Sequence, residues 1–75
     1  MLMNAQQCRM ARAALGLGVR ELAALAKVAT GTITRLEAGE PLKPRTVEAI
    51  QRVLEKAGIE FINDGAPGVR VRKKR

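Results

Sequence analysis

The chain has no histidine and no serine, one cysteine and one aspartate. That inventory excludes most catalytic chemistry. There is no serine-centred nucleophile motif, and the carboxylates show no spacing that suggests an acid–base pair. No glycine loop of the kind that cradles phosphates is present. Cys8 has no second thiol for a disulfide, and one cysteine without histidine is no zinc site. Cys8 instead falls on the apolar stripe of a predicted helix, where it reads as a small core residue. No cofactor is implied, and an enzyme is not expected. What remains is a set of cationic and hydroxyl donors placed at helix starts. Lys43, Arg45 and Thr46 surround one such start, where free backbone N–H groups and basic side chains can grip a phosphate. Arg20 stands at the start of another.

The location of the charge is more informative than its size. The net charge is +7, but residues 1–69 hold nine Lys or Arg against seven Asp or Glu. Arg70, Arg72, Lys73, Lys74 and Arg75 supply the rest. A mildly basic body with a strongly basic end suits a polyanion, either nucleic acid or an anionic membrane surface. A solvated, disordered end is the plainer alternative. No apolar run approaches the roughly 20 residues of a membrane span, and no signal peptide is recognisable. The expectation is a cytoplasmic protein that does not engage a membrane.

Several elements must position those donors. Ala5 to Leu15 is rich in helix formers, with Cys8, Ala11 and Leu15 at helical spacing, and Gly16 and Gly18 end it. A second helix fits Val19 to Lys27, with Leu22, Leu25 and Ala26 on one face and Glu21 in its first turn. A third fits Thr30 to Ala38, with Ile33 and Leu36 inward and Gly39 at its end. Two prolines set the linker Gly39 to Pro44. A fourth helix runs from about Pro44 to Ala57 on the stripe Val47, Ile50, Leu54, Ala57, and Gly58 stops it. Beyond Gly58 the period changes to two. Ile59-Glu60-Phe61 and Val69-Arg70-Val71-Arg72 alternate around a loop dense in turn formers, which predicts a β-hairpin with Ile59, Phe61, Val69 and Val71 on its apolar face.

A chain of 75 residues is one small domain, and about 60% burial of its unfolded surface leaves such a domain marginal without help. With disulfide and zinc excluded, oligomerisation is the remaining source of stability. A lone hairpin is itself marginal in water, and its open edge is a template for pairing.

Val19 to Gly39 is the informative stretch. Two short helices joined by a tight turn cross closely only if the contact residue on the first is small, and Ala23 meets that need. Val28 plugs the turn, and Ile33 packs the second helix back on the first. The second helix then projects its N-terminal outward residues, a geometry suited to a major groove. The stretch resembles the phage-repressor (Cro-like, xenobiotic-response-element, XRE) family of helix-turn-helix regulators. Leu22-Ala23, Val28, Thr32-Ile33 and Arg35-Leu36-Glu37-Ala38-Gly39, preceded by Leu15-Gly16-Leu17, carry the resemblance, which covers about residues 5–57.

The resemblance implies a mainly α fold, a lambda-repressor-like bundle of four to five helices followed by a short C-terminal β-hairpin. Residues 1–58 are then the helix-turn-helix DNA-binding domain, and residues 59–75 the hairpin, a dimer contact, with its basic tail. It implies that Thr30, Gly31, Thr34 and Arg35 face DNA. Arg35 is the strongest candidate, because a guanidinium can donate two hydrogen bonds to a guanine edge. The alternative for Arg35 is a solvated side chain or a pair with Glu40. Arg12 and Glu37 are implied to form a partly buried ion pair that holds the recognition helix at its angle. Three positions depart from the family pattern. Val19 replaces a phosphate-contacting Gln, a role Arg20 can take. Lys27 replaces a turn Gly, where a left-handed backbone costs a non-Gly residue roughly 1–2 kcal/mol unless the turn is built differently. Ala29 replaces a capping Ser, and Thr30 is the expected substitute cap.

These readings converge on a double-stranded DNA-binding transcription regulator, a repressor, acting as a homodimer on two half-sites about one helical turn apart. The competing class is an antitoxin-like or adaptor module whose helices and tail bind a protein partner, with weak or non-specific nucleic-acid binding. A third reading is a non-specific nucleic-acid or RNA binder working through the tail; a single aromatic residue, Phe61, speaks against single-stranded targets, whose binders stack bases on aromatic rings. A chain this small holds no separate effector domain, so its regulation is expected to come from protein level, a partner or dimerisation.

Overall fold

The computed structural model describes residues 2–72. Among these residues four helices are followed by a two-stranded antiparallel hairpin: α1 (Ala5–Leu15), α2 (Val19–Ala26), α3 (Thr30–Glu37), α4 (Pro44–Lys56), β1 (Ile59–Ile62) and β2 (Gly68–Val71). The mainly helical fold with a terminal hairpin is the one expected. Helix α1 starts at a reciprocal cap, in which Asn4 Oδ1 accepts from the Gln7 amide at 2.8 Å and Gln7 Oε1 accepts from the Asn4 amide at 3.0 Å, so two otherwise unpaired donors are satisfied. Helix α2 has half of such a cap, the Gly18 amide donating to Glu21 Oε1 at 2.7 Å. Pro44 occupies the first turn of α4, where its missing N–H costs nothing.

The first three helices stop in the same way. An amide two residues past the end of α1 and α2, and three past the end of α3, reaches back to a carbonyl in the last turn: Leu17 to Arg12, Val28 to Ala23 and Glu40 to Arg35. This closure needs a left-handed residue. Gly16 and Gly39 provide it at φ 70° and 88°, but after α2 the residue is Lys27 at φ 58°. The turn is therefore not built differently to spare the lysine. Lys27, Ala38 and Ala57 lie just outside the helices that their neighbours form.

One core joins all the elements. Cys8, Ala11, Leu22, Ala23, Ile33, Leu36, Val47, Ile50, Leu54 and Ile59 are buried in it together with Met3, and Leu15, Val28, Phe61 and Val69 pack on its margin. Ala23, Val28 and Ile33 thus stand where the packing of α2 on α3 requires them. Three expected core residues, Leu25, Ala57 and Val71, are not inside. Leu25 is 54% exposed and Val71 49% exposed. Leu25 lies over a shallow cleft shared with Val53, Lys56 and Ala57, because Leu22, Ala23 and Ala26 already fill the face that α2 turns to its neighbours. Val71 pairs with Ile59 at the end of the ladder, beyond the cover of the helices.

The hairpin register is Ile59 with Val71, Glu60 with Arg70, Phe61 with Val69 and Ile62 with Gly68. The Arg72 amide extends the ladder by donating to the Gly58 carbonyl at 2.7 Å. By the alternation of an antiparallel ladder, Ile59, Phe61, Val69 and Val71 then point their N–H and C=O groups to the outer edges. Neither Phe61 nor Val69 has a backbone partner there among the described residues. Arg70 belongs to β2 and pairs across the ladder with Glu60 at 3.2 Å, so it is not part of an uncompensated tail. Lys73, Lys74 and Arg75 lie outside the described residues. No helix among the described residues is long and apolar enough to cross a membrane.

Candidate nucleic-acid interface

Helix α3 has two faces of opposite character. Ile33, Leu36 and Glu37 are buried, whereas Thr30, Gly31, Thr34 and Arg35 are all exposed. The exposed residues fall at positions i, i+1, i+4 and i+5, which is one side of a helix. Arg35 joins none of the ion pairs found among the described residues, including none with Glu40. The residue is exposed, and a guanidinium carries five donors. The Thr34 hydroxyl donates to the Thr30 carbonyl at 3.2 Å, which occupies its proton and leaves its methyl and lone pairs outward. Thr30 does not cap the helix as expected. The N-cap is Ala29, with no side-chain hydrogen bond, because Thr30 already has helical backbone and sits as the first residue of α3. Its hydroxyl is therefore not committed to capping. Gly31 has open space where a Cβ would be, so no contact within the fold demands glycine there.

The other four candidates are not on this face. Arg20 and Arg45 are exposed in the first turns of α2 and α4, Lys43 is the exposed N-cap of α4, and Thr46 is half-buried. Each pair of element start and cation can hold an anion by charge and by free N–H groups together.

The buried side of α3 is held by α1. Arg12 grips the Glu37 carboxylate with two parallel bonds, Nε to Oε2 at 2.9 Å and NH2 to Oε1 at 2.8 Å, and also donates to the Leu17 carbonyl at 3.2 Å. The Cys8 thiol donates to Glu37 Oε2 at 3.3 Å, and Arg9 donates to the Glu37 backbone carbonyl. Burial alone pushes the Glu37 carboxyl toward neutrality. The hydrogen bonds from Arg12 and Cys8 and the charges of Arg12 and Arg9 outweigh it, so Glu37 titrates below its ordinary range. Burial, together with the adjacent Glu37, pushes the Cys8 thiol up to about 12, and it stays a protonated donor. The hydrogen bond to Glu37 likewise raises Arg12.

Arg9, the donor role of Cys8 and the side chain of Gln7 had no counterpart in the sequence reading. Asn4 and Gln7 stand at capping-box spacing, so half of the role of Gln7 was available in the sequence. The other half was not: its Nε2 donates to the Ile62 carbonyl, the Asn63 side chain and the Gly68 carbonyl, 55 to 61 residues away. No group of three or more metal-ligating side chains is present among the described residues. No protein-family model matches the chain, and no curated protein matches it.

Proposed function

We propose that this protein is a sequence-specific double-stranded DNA-binding regulator, a repressor of the XRE type, that presents α3 to the major groove as a homodimer joined through its hairpin. The observation that carries the reading is α3 itself. The helix is clamped from behind at Glu37 and offers Thr30, Gly31, Thr34 and an unpaired Arg35 outward. Small side chains around one long guanidinium let a helix lie deep in a groove while Arg35 reaches a guanine edge. Arg20, Lys43 and Arg45, with Thr46, supply phosphate contacts that fix orientation without reading sequence. The open strand edges supply the seam for a second copy, and occupancy of the site by the dimer is how it represses. The protein acts in the cytoplasm.

The test is binding to an inverted-repeat fragment selected from random DNA, compared with scrambled DNA at matched salt. Specific binding at least about 10³-fold tighter is expected. Arg35→Ala is expected to cost about 1–3 kcal/mol on the selected site and almost nothing on scrambled DNA. Equal affinity for both DNAs rules the reading out. If Arg35→Ala leaves specific binding intact, the protein-partner class is favoured.

A further inference from the structure

We propose that Gln7 is a positioning residue that sets the separation of the two α3 helices in the dimer, by locking the hairpin onto α1. The inference rests on the dimeric DNA-binding reading above. Gln7 is 1% exposed, and every polar atom of its side chain is engaged. Its Oε1 accepts from the Asn4 amide at 3.0 Å. Its Nε2 donates toward Gly68 O at 3.1 Å, Ile62 O at 3.2 Å and Asn63 Oδ1 at 3.3 Å. Ile62 and Gly68 are the last pair of the ladder before the loop, so one amide grips both strands at the turn end of the hairpin. The bond from Arg72 to Gly58 closes the other end.

A buried amide fixes more than contact. Its hydrogen bonds tolerate only a few tenths of an ångström and limited angles, whereas an apolar side chain of the same length fills space but lets the hairpin slide. The same helix then passes the constraint on. Cys8, Arg9 and Arg12 hold Glu37 of α3, and Gln7 is the residue before Cys8. The hairpin and the recognition helix are thus pinned to adjacent positions of α1. In a two-fold dimer seamed at the hairpin, a small rotation there becomes a change in distance between the two α3 helices. DNA reads that distance, because half-sites sit about 34–36 Å apart.

The experiment uses the full chain, with wild type and Gln7→Met measured on inverted repeats whose half-site separation changes one base pair at a time. A single half-site fragment serves as the reference. Wild type is expected to prefer one separation over its neighbours by about tenfold. Gln7→Met is expected to reduce that preference to about threefold or less, with half-site affinity and dimer mass unchanged. An undiminished spacing preference in Gln7→Met overturns the inference, and so does a parallel loss of half-site affinity, which marks general loosening. A second measurement needs only wild type, at concentrations where its mass is already that of two copies. Because coupling is reciprocal, DNA bound at α3 must slow hydrogen exchange of the Ile62 and Gly68 amides. Unchanged exchange overturns the inference even if Gln7→Met fails to fold. Wild type with no preference among DNA sequences sinks the regulator reading itself, which separates the two failures.

Discussion

At Glu37 a thiol, two guanidinium groups and a helix end meet, and the chemistry there is structural. The carboxylate is almost buried while Arg12 is partly open, with side chains 8% and 22% exposed. A buried pair adds little over an apolar pair of the same volume, but breaking it strands a charge. Glu37→Ala is therefore expected to cost about 3 kcal/mol in urea unfolding at neutral pH, and Arg12→Met with Glu37→Leu together much less. The pH dependence follows from the lowered carboxyl. Its contribution is present above the ordinary value of 4.5 and is lost as pH falls through the lower folded value. Wild type should lose stability more steeply than Glu37→Gln as pH falls below about 5, measured by denaturant midpoint over that descent. Equal slopes mean that the pair carries no charge linkage. The pair itself was legible through resemblance. The cysteine proton and the Arg9 bond that complete the cluster were not, because nothing local in the sequence says which backbone carbonyl a long side chain will reach.

At the scale of elements, the turn between α2 and α3 holds two locally unfavourable residues. Lys27 is the only non-glycine among the described residues with positive φ, and Ala29 caps α3 without a side-chain acceptor. The surrounding packing imposes both. Val28 must enter the core margin and Ile33 must meet α2, which forces the chain to reverse within the three residues between α2 and α3. Lys27→Gly relieves the left-handed strain but gains unfolded-state entropy, for a net gain of roughly 0.5–1 kcal/mol. Ala29→Ser adds an acceptor for the α3 amides, for about 1 kcal/mol. The double variant is expected to melt several degrees higher, since about 1 kcal/mol moves a domain of this size by roughly 4–8 °C. A melting temperature at or below wild type means that the turn is already relaxed. The departures are readable from sequence as residue types. That the turn keeps its geometry in spite of them is a tertiary outcome, because the core contacts on either side outweigh a local penalty of that size.

For the whole molecule the proposal needs two copies, so the solution mass should be twice that of the chain. The basic end makes a separate claim. Truncation after Arg72 keeps the bond to Gly58 and removes Lys73, Lys74 and Arg75. It is expected to weaken binding to specific and scrambled DNA by a similar factor and to flatten the salt dependence, leaving their ratio unchanged. Loss of all binding on truncation makes the tail, not α3, the binding element.

What the sequence determined by itself is local. Helix starts at Ala5 and Pro44, stops at Gly16 and Gly39, the apolar stripe Val47, Ile50, Leu54 and the alternation of the hairpin each need only a few neighbouring residues to be satisfied. The signal therefore survives in one dimension. Tertiary structure decided what depends on coverage and reach. Leu25 and Val71 carry the pattern of buried residues, yet no element lies over them. Arg70 sits in the predicted strand and counts toward the basic end, but only the register sets its charge against Glu60 across the ladder. Gln7 reads as an ordinary helix-start residue, and only the fold brings the hairpin carbonyls to its amide. A hydrogen bond is fixed by distance and angle in space, and separations of 55 to 61 residues along the chain carry no information about either.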